Sequence, residues 1–169
     1  MKTQQATQTV SIRPSASPLS EVLAYNNSDV VWRIARDNQF TTEEAESVFR
    51  DTIRFLYLAG ATDAKHIAPT KNIDKGWHSF LMFTRDYAEL CRAYFGRFIH
   101  HEPRRPGDAP PEVNNLAITF DLARQFFGPS LSKNWNYDIH ATADCQKCTS
   151  SCSPDTGGRG SECTPDGGD

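Results

Sequence analysis

Apolar residues recur at helical spacing through most of the chain, and one short stretch, TVSIR near the start, alternates as a strand would. In SDVVWRIARD, Val30, Val31, Ile34 and Ala35 share a face, and Ser28 stands where an N-cap oxygen is wanted. TTEEAESVFRDTIRFLYLAG carries the clearest signal. Ala45, Val48, Phe49, Thr52, Ile53, Leu56 and Tyr57 follow the i, i+3, i+4, i+7 rule, Thr41 and Glu44 stand at capping-box spacing, and Gly60 offers a stop. NIDKGWHSFLMF reads as a shorter helix with Ile73, Trp77, Phe80 and Leu81 inward and Gly76 weakening it. In RDYAELCRAYF, with Thr84 as its cap, Tyr87, Leu90, Cys91, Tyr94 and Phe95 share a face before Gly96. A last helix runs from about Glu112 to Phe127, closed by Gly128 and Pro129, with Trp135 and Tyr137 lying back on the body.

This pattern predicts a mainly α chain: a compact, single-domain helical bundle of about five helices over residues 19–140. Residues 1–18, rich in Gln, Thr, Ser and Pro, predict a flexible arm with too little apolar surface to offset the entropy of ordering. Residues 141–169 read as a Cys/Gly/Ser-rich tail.

Charge changes the picture little. Lys plus Arg number 18 against 21 Asp plus Glu, with no long run of either sign, which argues against nucleic acid as a partner. The excess lies in the tail, where Asp144, Asp155, Glu162, Asp166 and Asp169 face only Lys147 and Arg159. No stretch approaches the roughly 20 apolar residues of a membrane span, and the N-terminus lacks a signal-peptide core, so the expectation is a cytoplasmic protein with no membrane partner. Nucleophile elbow, phosphate loop and dinucleotide fingerprint are all missing, and the enzyme classes they mark lose weight.

Candidate chemistry gathers in two places. Asp74 and His78, four apart on one helix face, are spaced to share an ion, and His100 and His101 follow a helix and a glycine that can return the chain to them. Alternation in an extended segment turns one histidine of that pair inward, and His101 is the candidate. Asp74, His78 and His101 then form a ligand set for a divalent transition metal, zinc or iron, with Cys91, His100 and Tyr87 as accessory groups. The plainer alternative makes Asp74 the N-cap of its helix, the histidine a donor to a backbone carbonyl, and Cys91 a packed thiol. Arg85, Arg92 and Arg97, with Arg104 and Arg105 beyond, are candidates for holding an anion. The second place is the tail, where Cys145, Cys148, Cys152 and Cys163 supply four thiols for a second metal, although their spacing lacks paired C-x2-C knuckles.

RFLYLAG followed by IDKGWHSFLMFTRDYAELCRAYFGRFIHHEP resembles the bacterial glycine-rich domain-containing proteins, related to the plant glycine-rich domain proteins, over residues 28 to 140. The resemblance places the family's Trp-His pair on Trp77 and His78, its helix thiol on Cys91, its glycine on Gly96 and its closing histidine on His101. It implies no particular reaction. Where members often carry another histidine two places after the first, this chain has Phe80. Two readings therefore stand side by side: a metal-binding protein built on Asp74, His78 and His101, and a non-enzymatic interaction module whose cysteine tail tethers a protein partner or, through Thr149, Ser150, Ser151 and Ser153, accepts a modification.

Overall fold

A computed structural model describes residues 10–102 and 113–136. The described part is helical: α1 (Leu19–Leu23), α2 (Ser28–Asn38), α3 (Thr42–Ala61), α4 (Lys71–Leu81), α5 (Thr84–Leu90) widening into a π-helical turn (Cys91–Phe95), α6 (Val113–Phe127) and a 3-10 turn (Lys133–Trp135). The helical bundle read from the periodicity is the observed fold, with α1 and the 3-10 turn as additions too short to show a period.

α3 is the axis of the structure. Its capping box forms as the sequence predicts, with Thr41 Oγ1 accepting from Glu44 N at 3.2 Å and Glu44 Oε2 from Thr41 N at 3.1 Å. Beyond the expected stripe, Asp51, Phe55, Leu58, Gly60 and Ala61 are also buried, so from Asp51 onward the helix is covered all round by its neighbours, while Glu46 and Arg50 face solvent. Each large apolar side chain removed from water contributes about 1.5–3 kcal/mol, which makes this helix the main source of core stability.

Full coverage requires that two neighbours approach closely, and glycines stand at both contacts. A Cβ on Gly76 would meet Val48 Cγ1 at 2.9 Å and collide with the Thr52 hydroxyl. At Gly60 it would lie 2.6 Å from Phe95 and 2.7 Å from Ile99. Gly76, which lowers intrinsic helicity, is what lets α4 lie on α3, a tertiary gain that outweighs about 1 kcal/mol of propensity. Gly60 does not stop α3 either. The helix runs on through Ala61, and the glycine makes room for the π-helical turn and the chain after it.

Caps differ from expectation where a better-placed group competes. Asn27, extended at φ −150°, caps α2 with its side chain accepting from Asp29 N and Val30 N, and Ser28 becomes the first helical residue. Thr84 likewise opens α5 without capping it. Asp74 is not an N-cap, since α4 begins after Thr70. Thr70 in turn donates its hydroxyl to Asn134 O at 2.5 Å, tying the start of α4 to the 3-10 turn. Asn134 also donates at 2.9 Å to buried Asp51, whose carboxylate is further held by Ser132 and Arg54. Trp135 lies wholly in the core as expected, while Tyr137 falls outside the described residues.

Residues 10–18, assigned to the flexible arm from their composition, lie against the body. Arg13 N donates to Ala61 O at 2.7 Å, Ser17 N to Tyr94 O at 2.8 Å, and Ile12 pairs with Thr62 in an antiparallel bridge at the strand-like stretch. Backbone groups, which composition does not report, supply this attachment. Residues 1–9 and the tail, including its four cysteines, are outside the described residues.

Leu56→Ala should cost about 2–5 kcal/mol, as for other large-to-small changes in a core. Gly60→Ala should cost about 1–3 kcal/mol through overpacking, against the helix-propensity gain an alanine would otherwise bring. Urea denaturation of both variants checks this. A Gly60→Ala chain as stable as the parent would show that Phe95 and Ile99 yield freely.

Candidate metal centre

Two elements carry the candidate groups. On α4, Ile73, Gly76, Trp77 and Phe80 face the core, which leaves Asp74 and His78 one turn apart on the flank. Opposite runs the extended chain after Gly96, whose left-handed backbone (φ +64°) ends the π-helical turn and sends residues 97–102 back along α4. Ile99 is buried and His100 is exposed, while His101 has a side chain only 11% exposed.

A hydrogen-bond chain fixes the distance between these elements. The Trp77 indole N–H donates to Tyr87 Oη at 3.0 Å, and the Tyr87 hydroxyl donates to Ile99 O at 2.6 Å. Trp77 also packs edge-on to the His101 ring with centroids 4.4 Å apart, and on its other side it meets Phe55 at 5.5 Å. His101 Nε2 then lies 2.8 Å from Asp74 Oδ1. A carboxylate has only lone pairs to offer, so the imidazole nitrogen is the donor in that bond. His78 completes the group, with its Nδ1 3.7 Å from Asp74 Oδ2 and its ring centroid 4.4 Å from that of His101. One donor atom from each of Asp74, His78 and His101 lies within 4.8 Å of the others.

The accessory residues take other places. Burial pushes the Cys91 thiol up from its ordinary range, and its neighbours are the Ile99 backbone and the Tyr87 hydroxyl, outside the Asp-His-His group. Tyr87 is raised as well, first by burial, and its hydroxyl is engaged by Trp77 and Ile99. His100 lies against Phe98 at the rim, with the two rings tilted by 56°. Phe80, where the resemblance suggests a histidine, is fully buried against Phe49 and Tyr87 and faces the core.

The group opens onto a cleft of about 770 Å³. Phe55, Ala59, Ile67, Pro69 and Ile99 form its apolar wall, and Lys71, Arg97, His100 and Glu102 its polar rim. Of the candidate anion binders, Arg97 lines this cleft; Arg85 and Arg92 are exposed elsewhere on α5 and its π-helical extension, and Arg104 and Arg105 lie outside the described residues.

Residues 23–118 match the UCP032817-like family. The chain belongs to this family. The matched region holds α2 through α5, the π-helical turn and all three groups of the Asp-His-His set. No curated protein and no solved structure matches the chain. Among the described residues of this UCP032817-like protein, no helix is long and apolar enough to cross a membrane.

Sequence reading missed the Trp77–Tyr87–Ile99 bridge, although a buried tryptophan and tyrosine each need a polar partner and so gave half the signal. Tyr87→Phe strands the Trp77 N–H and the Ile99 carbonyl, and should destabilise the chain by about 1–3 kcal/mol in urea titrations. Raised Tyr87 and Cys91 values also fix a sign. Their stabilisation is present below their unfolded-state values, roughly 10 and 8.5, and is lost as pH rises past them, so stability should fall on the alkaline side. Melting curves from pH 7 to 11 test this, and a flat profile would contradict it.

Proposed function

We propose that this chain is a metal-binding helical protein in which Asp74, His78 and His101 hold one divalent transition ion, zinc or iron, at the cleft. The single observation that carries the reading is the convergence of one carboxylate and two imidazoles within 4.8 Å from helix and return segment. Donors about 2.0–2.1 Å from a tetrahedral ion lie roughly 3.3–3.5 Å apart, so from separations of up to 4.8 Å closure around an ion needs a shift of at most about 1.5 Å. His78, with its side chain 54% exposed, has the freedom to make it. Asp74 and His101 are held closer than that, and the ion would replace their shared proton.

Three protein donors leave positions for water or a substrate on the cleft side. An ion there would act as a Lewis acid or lower the proton affinity of a bound water, which suits hydrolytic chemistry. The Asp74–His101 bond also favours a plainer reading, in which the pair only clamps residues 97–102 to α4.

Elemental analysis of protein purified without a metal-affinity tag, then loaded with Zn(II) or Fe(II), separates the two. The metal reading expects one equivalent bound, lost in His78→Ala and His101→Ala with helical circular dichroism intact, and kept in His100→Ala. Acidification should release the ion, because imidazole must be neutral to ligate. Stoichiometry near zero in the parent leaves the clamp.

A further inference from the structure

The cleft beside the Asp-His-His group holds two cations without a hydrogen bond or ion pair among the described residues. Lys71, the first residue of α4, and Arg97, the first after Gly96, both line it. Among the described residues lining the cleft, their charge is balanced by Asp74 and Glu102. A divalent ion on Asp74, His78 and His101 would tip that balance to a net positive site with open coordination positions.

Behind the charges the cleft is apolar, with Phe55, Ala59, Ala64, Ile67, Pro69 and Ile99 contributing to one lining. Its volume of about 770 Å³ falls within the roughly 300–1,000 Å³ typical of small-molecule sites, which pair an apolar wall with a few polar groups. A bare inorganic anion would leave that wall wet. An uncharged apolar molecule would leave Lys71 and Arg97 unused.

We infer that the cleft binds a small organic carboxylate with an apolar or aromatic body, its carboxylate directed to Arg97 and the metal and its body laid on the Phe55–Ile67–Ile99 wall. The inference rests on the metal reading, since without an ion Asp74 and Glu102 cancel the two cations. Arg97 is a specificity-determining residue in this arrangement, because a guanidinium fork matches the planar, two-oxygen end of a carboxylate better than an ammonium does.

The test uses the full chain loaded with Co(II), with metal content measured first and benzoate, acetate and inorganic phosphate then titrated by calorimetry and by the visible absorption of the ion. Benzoate should saturate at least tenfold more tightly than acetate or phosphate. Arg97→Ala and Lys71→Ala should each keep one equivalent of metal, with benzoate weakened about tenfold by the first and several-fold by the second. Arg97→Lys should recover only part of the loss, and Ile67→Ala should weaken benzoate but not acetate. A metal-loaded chain that ignores benzoate, prefers phosphate, or binds benzoate equally well after both cation substitutions would overturn the inference while leaving the metal reading in place. A chain that takes up no metal overturns both, and the metal content alone identifies that case.

Discussion

The burial of the C-terminal half of α3 on every side is the constraint from which the rest of this structure follows. A helix segment covered all round needs neighbours at close range, and two close approaches are made where a side chain is missing: α4 over Thr52 at Gly76, and the Phe95–Ile99 segment over Gly60. Those two contacts set the position of both halves of the candidate site. α4 brings Asp74 and His78, and the segment seated on Gly60 runs directly into His101. The group is thus assembled by the packing of the core, with its members on the outer edge of elements whose inner faces are fixed.

Rigidity comes from a polar bridge within that apolar frame. Trp77, Tyr87 and Ile99 join α4, α5 and the return segment through two hydrogen bonds sheltered from water, where an unmade bond is costly. The π-helical turn belongs to the same arrangement, since widening the helix at Cys91–Phe95 buries both Cys91 and Phe95 and ends at the left-handed Gly96. His101 is consequently held from three directions, by Trp77, by Asp74 and by its own backbone, while His78 remains half-exposed and adjustable. One enclosed and one exposed imidazole thus flank the same carboxylate.

Charge and apolar surface meet at the cleft. Elsewhere the basic side chains near carboxylates are paired locally, as Arg33 and Arg36 are with Asp37, and Arg54 with Asp51. At the cleft, Lys71 and Arg97 stand apart from such partners among the described residues, beside an apolar wall. Its place in the lining of the cleft distinguishes Arg97 from Arg85 and Arg92.

What the sequence determined by itself was everything set within one or two helical turns. The α3 periodicity and its Thr41–Glu44 box, the Asp74–His78 spacing and the opposite facing of His100 and His101 follow from local geometry, which is written into residue order. Tertiary structure decided whatever depends on residues far apart in the chain. Gly60 and Gly76 read locally as a stop and a weakness, and become contacts only because other elements arrive over them. Composition assigned residues 10–18 to an arm, yet backbone hydrogen bonds to Ala61 and Tyr94 attach that stretch to the body. Sequence left Cys91 open between an accessory ligand and a packed thiol, and burial beside Tyr87 and Ile99 raises the thiol and sets it apart from the Asp-His-His group. The approach of His101 to Asp74 spans 27 residues and depends on the return of the chain after Gly96 and on the bridge from Trp77 to Ile99. Spacing could propose that meeting, but only the packing of three elements around α3 could bring it about.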